Sequence, residues 1–164
     1  NDDGSGGQYP KIACSTDECL VAWVGIYGSG VKARRIAPDG TPSGPNGGFE
    51  IAALVKDIIQ EAPAISLFKP WGYFITWNHL LSTSADESDV YGSVVAYGQN
   101  HPMGNSFPVD TRTYHEGYPD LACGFYGRCL LVISHNPVQY PAGDKEISGR
   151  FISTLLNFVP LIIK

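Results

Sequence analysis

The chain is short of charge and has no long hydrophobic run. Asp, Glu, Lys and Arg make up only 16% of its 164 residues, against about 25% in an average soluble domain. Hydrophobic residues still reach 43%, so the composition excludes intrinsic disorder. No stretch attains the roughly 18 to 20 uninterrupted apolar residues of a membrane helix. The longest apolar tail, residues 158–163, is broken by Pro160. Cations are scarce, with 11 Lys and Arg against 16 Asp and Glu and a net charge of −5. A basic surface for phosphate contacts is therefore absent, and nucleic acid is not an expected partner. The nucleophile elbow Gly-x-Ser-x-Gly, the phosphate loop Gly-x-x-x-x-Gly-Lys and the zinc motif His-Glu-x-x-His are missing too. No Asn-x-Ser or Asn-x-Thr acceptor for N-glycosylation occurs. The first ten residues show no charged start leading into an apolar stretch, so no signal peptide is expected within them.

What the chain has in quantity is turn formers and aromatics: 19 Gly and 12 Pro beside 3 Trp, 9 Tyr and 7 Phe. Gly and Pro punctuate, and aromatic residues favour pleated surfaces, so the fold expected is all-β. The length suits one domain or one repeat array over residues 1–164. Three segments align. The first is Pro10-Lys11-Ile12-Ala13-Cys14, a turn, then Cys19-Leu20-Val21-Ala22-Trp23. The second is Pro63-Ala64-Ile65-Ser66-Leu67, a turn, then Tyr73-Phe74-Ile75-Thr76-Trp77. The third is Pro119-Asp120-Leu121-Ala122-Cys123, a turn, then Cys129-Leu130-Leu131-Val132-Ile133. Their prolines are 53 and 56 residues apart, the spacing of a repeat architecture. Each copy continues with a polar loop, a strand rich in small residues, a turn and a final apolar strand. The repeats span about 8–56, 60–112 and 116–164, each reading as four short antiparallel strands. Residues 155–163 supply the last strand of the third copy.

Tandem four-stranded units suit the blades of a β-propeller, and a β-trefoil, built from three such repeats, is the alternative. The order Pro-x-apolar-Ala, a turn, a strand ending in Trp, then Asp-Val-Tyr-Gly or Asp-Gly resembles the roughly fifty-residue repeats of bacterial extracellular propeller-like proteins. Ala13, Trp23 and Asp39-Gly40 carry it in the first copy, and Trp77 with Asp89-Val90-Tyr91-Gly92 in the second. The third departs from it, with Ile133 in place of Trp and no Asp-Gly turn after Ile152. Closed propellers take about four to eight blades, so the resemblance implies a partial propeller completed by oligomerisation or by a partner chain. Bare blade faces would otherwise leave wide apolar surfaces in water.

Cys14 and Cys19, like Cys123 and Cys129, stand at facing ends of adjacent strands, where directly opposed residues are close enough for a disulfide. Leu67 and Tyr73 replace both partners at once in the second copy, as a bond predicts. Two hairpin disulfides are expected, with buried free thiols and metal binding as the alternatives. Disulfides place the chain in an oxidising compartment: secreted, periplasmic or at the cell surface.

Candidate ligand-binding residues cluster in the loops. His79, His115 and His135 fall on the face shared by the second-to-third strand loops and the linkers, where imidazoles bind metals or move protons, or simply stand in solvent. Trp71, Tyr118 and Tyr140 lie in or beside loops and offer ring faces to a glycan or a peptide. Asp86, Glu87 and Asp89 form an oxygen cluster that suits calcium but lacks the full calcium-loop pattern. No other cofactor is expected. Arg34 and Arg35, adjacent on one strand, point to opposite faces and cannot form a single anion clamp. The expected function is an extracellular binding or assembly module. A lectin-like carbohydrate-binding protein and one chain of a processed secreted enzyme are the alternatives.

Overall fold

The computed structural model describes residues 6–25, 30–53, 58–81, 88–111, 115–124, 127–136 and 146–153. Among them there is no α-helix. The strands form three antiparallel sheets in chain order. Sheet I holds β1 (Gly7–Cys14), β2 (Cys19–Gly25), β3 (Val31–Ile36), the two-residue β4 (Pro42–Ser43) and β5 (Phe49–Ala52). Sheet II is β6 (Ile58–Phe68), β7 (Gly72–Leu81), β8 (Ser88–Ala96) and β9 (Phe107–Asp110). Sheet III is β10 (His115–Cys123), β11 (Arg128–Asn136) and β12 (Glu146–Ser153). Neighbouring strands within each sheet pair antiparallel, and among the described residues a single parallel bridge, His115 to Ser88, ties sheet III to sheet II. The fourth strand expected over residues 155–163 lies outside the described residues.

The repeated prolines mark a repeated distortion. Tyr9-Pro10 in β1, Ala62-Pro63 in β6 and Tyr118-Pro119 in β10 each set two residues against one on the neighbouring strand. The single residues opposite are Trp23, Trp77 and Ile133. The residue before each proline is left-handed, with φ of 55°, 45° and 51°, the conformation of the first residue in a Gly-type β-bulge. Proline suits the second place because it has no N–H to leave unpaired where the ladder breaks.

Side-chain alternation then decides what each sheet buries. Along β7, Tyr73, Ile75 and Trp77 point toward sheet I and join Leu20, Ala22, Val24, Val31 and Ala33 in one core. Phe74 points the other way, into a second core with Leu121, Cys129, Leu131 and Ile133 of sheet III. Sheet II is thus covered on both faces, which is why Tyr73-Phe74-Ile75 in β7 is an unbroken apolar run rather than an alternating one. The sheets stack face to face, with β1 beside β6 and β6 beside β10. Each junction hides large side chains that contribute about 1.5 to 3 kcal/mol apiece on full burial.

A polar cluster crosses the first junction. Arg35, 3% exposed, bonds the Glu18 carboxylate and the carbonyl oxygens of Ala96 and Gln99 at the β8–β9 turn. Glu18 also accepts the Gly98 N–H, and its carbonyl accepts the Tyr73 hydroxyl at 2.9 Å. Arg34 turns to the opposite face, with its Nη2 3.5 Å from Asn46 Oδ1.

Candidate functional site

The histidine-bearing edge differs from its expected form. β7 runs on to Leu81, β10 begins at His115 and β11 extends to Asn136, so all three histidines belong to strands rather than loops. Backbone pairing brings them to one end of sheets II and III. His79 lies opposite Asp89, and the adjacent row runs Leu80, Ser88, His115, Asn136. His135 pairs with Glu116 on one side and Glu146 on the other. The His79 ring stacks on Tyr91 with centroids 4.5 Å apart. Burial holds its pKa below the usual imidazole value, against the opposing pull of Asp89, and so favours the neutral ring. The side chains of His115 and His135 lie outside the described residues, as do Tyr140, Asp86 and Glu87. Among the described residues no group of three or more His, Cys, Asp or Glu is placed to hold a metal ion.

Trp71 sits where the sequence puts it, in the β6–β7 turn after the cis Lys69–Pro70 bond. It is 41% exposed, with its ring 5.4 Å from that of Phe68. Tyr118 is the left-handed bulge residue of β10 and is 67% exposed. Trp71 and Tyr118 belong to different sheets and different structural contexts, a turn and a strand bulge. The cavity bounded by Leu67, Lys69, Cys123 and Gly124 has a volume of about 150 Å³, less than the roughly 300 Å³ at which ligand pockets begin. Sequence reasoning missed a set of buried polar atoms, Gln60 Oε1, Thr76 Oγ1, Trp77 Nε1 and Asn78 Oδ1, that have no hydrogen-bond partner among the described residues. Only their burial distinguishes them, and no motif announces it.

Disulfides join Cys14 to Cys19 and Cys123 to Cys129, with Cα separations of 4.0 and 3.9 Å. Cys14–Cys19, Leu67–Tyr73 and Cys123–Cys129 are the same directly opposed pair in the three first hairpins. That register makes the sheets comparable position by position. We name the face toward the preceding sheet the front and the face toward the following sheet the back.

On the front, Val21, Ile75 and Leu131 are equivalent, and so are their partners Ile12, Ile65 and Leu121. Ile75 and Leu131 are 0% exposed and Leu121 is 7%, yet Ile12 is 58% exposed. The sheet I front also carries the Cys14–Cys19 bridge and half-buried Trp23, whose indole occupies the space above Gly7 and Gly48 where a Cβ would fall 2.3 and 2.5 Å from it. On the back, Val31, Val90 and Ile147 correspond, as do Arg35, Val94 and Phe151. Val31 and Val90 are fully buried, whereas Ile147 is 77% and Phe151 45% exposed. Ile12, Ile147 and Phe151 thus stand exposed at positions whose counterparts are buried or half-buried at the internal junctions, on the sheet I front and the sheet III back.

Both open surfaces belong to an all-β chain with two disulfide-bonded hairpins, and no described helix is long and apolar enough to cross a membrane. A comparison with models of known protein families and with curated protein sequences finds no match.

Proposed function

We propose that the chain is an extracellular assembly module: an incomplete β-propeller that works by associating, through its two open sheet faces, with further sheets of the same kind. The carrying observation is the mismatch at equivalent positions, Val31 and Val90 fully buried but Ile147 77% exposed. Exposed apolar side chains on a contiguous sheet face are a surface awaiting a protein partner. The propeller reading is supported by the face-to-face stacking, by the first strands lying side by side, and by an open strand order with no barrel closed among the described residues. The oxidising compartment is supported by the two disulfides.

Light scattering on the purified chain tests the proposal. A particle heavier than one chain, formed with itself or with a second polypeptide in fixed ratio, is the expected result. A monodisperse particle of one chain's mass up to high micromolar concentration overturns it.

A further inference from the structure

We propose that the occupant of the open faces is a second copy of this chain, the sheet I front of one seated on the sheet III back of the other, and that two chains close a ring of six sheets. The inference rests on the assembly reading above and commits it to a partner and a geometry.

The two junctions inside the chain are of one type. In each, the back of one sheet meets the front of the next: Leu20 and Val24 against Ile75 and Trp77, then Phe74 and Val90 against Leu131 and Ile133. Such a junction is heterologous, because its two halves are different surfaces. Each end of the stack shows the half that the other end lacks. The sheet III back presents Leu130 and Phe151, a cross-strand pair equivalent to Phe74 and Val94, and the sheet I front presents Ile12 and Val21, equivalent to Ile65 and Ile75. A second copy therefore supplies both missing halves at once and repeats a contact the chain already makes twice.

The disulfides follow the same rule. Cys123–Cys129 lies on the sheet III front, where Cys129 is 0% exposed against sheet II. Its counterpart Cys14–Cys19 occupies the same place on the open sheet I front, with Cys14 exposed. A same-face pairing, front to front or back to back, has no counterpart inside the chain. Heterologous contacts form a ring when their rotation closes. Rings made only of whole chains contain sheets in multiples of three, and six is the one multiple within the range of about four to eight that propellers adopt.

Two charge insertions at exposed positions test the geometry: Ile12→Asp on the sheet I front and Phe151→Asp on the sheet III back. Near-ultraviolet circular dichroism matching wild type establishes that each variant folds, and Ile147→Asp, at a back position 77% exposed, gives the same readout independently of Phe151→Asp. Wild type is expected at twice the chain mass by sedimentation or light scattering, and each variant alone at the chain mass. An equimolar mixture of Ile12→Asp and Phe151→Asp should return to twice the chain mass, because the intact back of the first chain fits the intact front of the second. The mixed pair has one junction instead of two and forms only at higher concentration. If either variant alone keeps the doubled mass, the head-to-tail contact is wrong while association through open faces stands. Wild type found only with a different polypeptide in fixed ratio overturns the second copy and leaves the assembly reading in place. Three chains per particle overturns the six-sheet ring, and a monomer at every concentration overturns both proposals.

Discussion

His79 shows how one side chain registers its surroundings. The ring is half-buried against Tyr91 and is held below its ordinary pKa by burial, with Asp89 acting in the opposite direction. Lowering the pH therefore protonates the unfolded chain first. The resulting loss of stability begins near pH 6.5, the value of a free imidazole, and is complete once the lower folded pKa has been passed. Above that window the contribution is fully present. Replacing His79 with Gln removes the titration but keeps a polar side chain. Between pH 7 and pH 5 the urea midpoint of His79→Gln should fall less than that of wild type. Equal falls in the two chains would show that the ring is not desolvated. Comparing the chains at each pH cancels the carboxylates common to both.

At the scale of the strand and hairpin, the repeat was readable because its signals are local. A proline at a two-against-one bulge and a cysteine pair flanking a short turn both lie within one hairpin, so their spacing survives in the linear order of residues. The joint replacement of Cys14 and Cys19 by Leu67 and Tyr73 in the second copy fits the register, since all three pairs are directly opposed. Strand ends were less readable. Asn78 and His79 look like loop residues, yet β7 continues through them to Leu81 because β6 and β8 extend far enough to pair with it. The candidate edge was legible only in part. The three histidines were placed at one end of the sheets, but their setting in paired strands was not foreseen.

The two disulfides should differ in what their loss does. Closing so short a loop is worth about 2 kcal/mol in the chain-entropy model. Replacing Cys14 and Cys19 together by Ser should cost about that much in the single, unassociated chain, where Cys14 is exposed. The Cys123 and Cys129 double replacement should cost more, since it also puts a hydroxyl at position 129, which is fully buried in the second core. Urea unfolding of the two double variants against wild type measures the difference, and equal losses would contradict it.

Across the whole molecule, the junction between sheets I and II depends on Arg35 as well as on apolar contact. Its guanidinium reaches from β3 to the Glu18 carboxylate and to two carbonyl oxygens of the β8–β9 turn. Sequence order hides this arrangement because Ala96 and Gln99 lie more than sixty residues away; only the alternation that turns Arg35 away from Arg34 was visible. Breaking a buried pair by removing one partner typically costs about 3 to 5 kcal/mol. Arg35→Met should therefore destabilise the chain by about 3 kcal/mol and speed amide exchange in β1 to β3 ahead of β10 to β12. Arg35→Lys should recover only part of the loss, because an ammonium cannot span the same three acceptors as a planar fork. Uniform acceleration across all sheets would argue against a localised latch.

The recurrent Tyr-Pro, Ala-Pro and Tyr-Pro kinks have a consequence for growth in the lateral direction. β1 and β6 stand at the ends of their strand orders, where an unbroken row of backbone groups would be a template for fibril formation. A left-handed residue followed by an amide without hydrogen interrupts that row midway. Under the assembly proposal the broad faces are left free to stack, while the kinks blunt these first-strand edges against amyloid-like elongation.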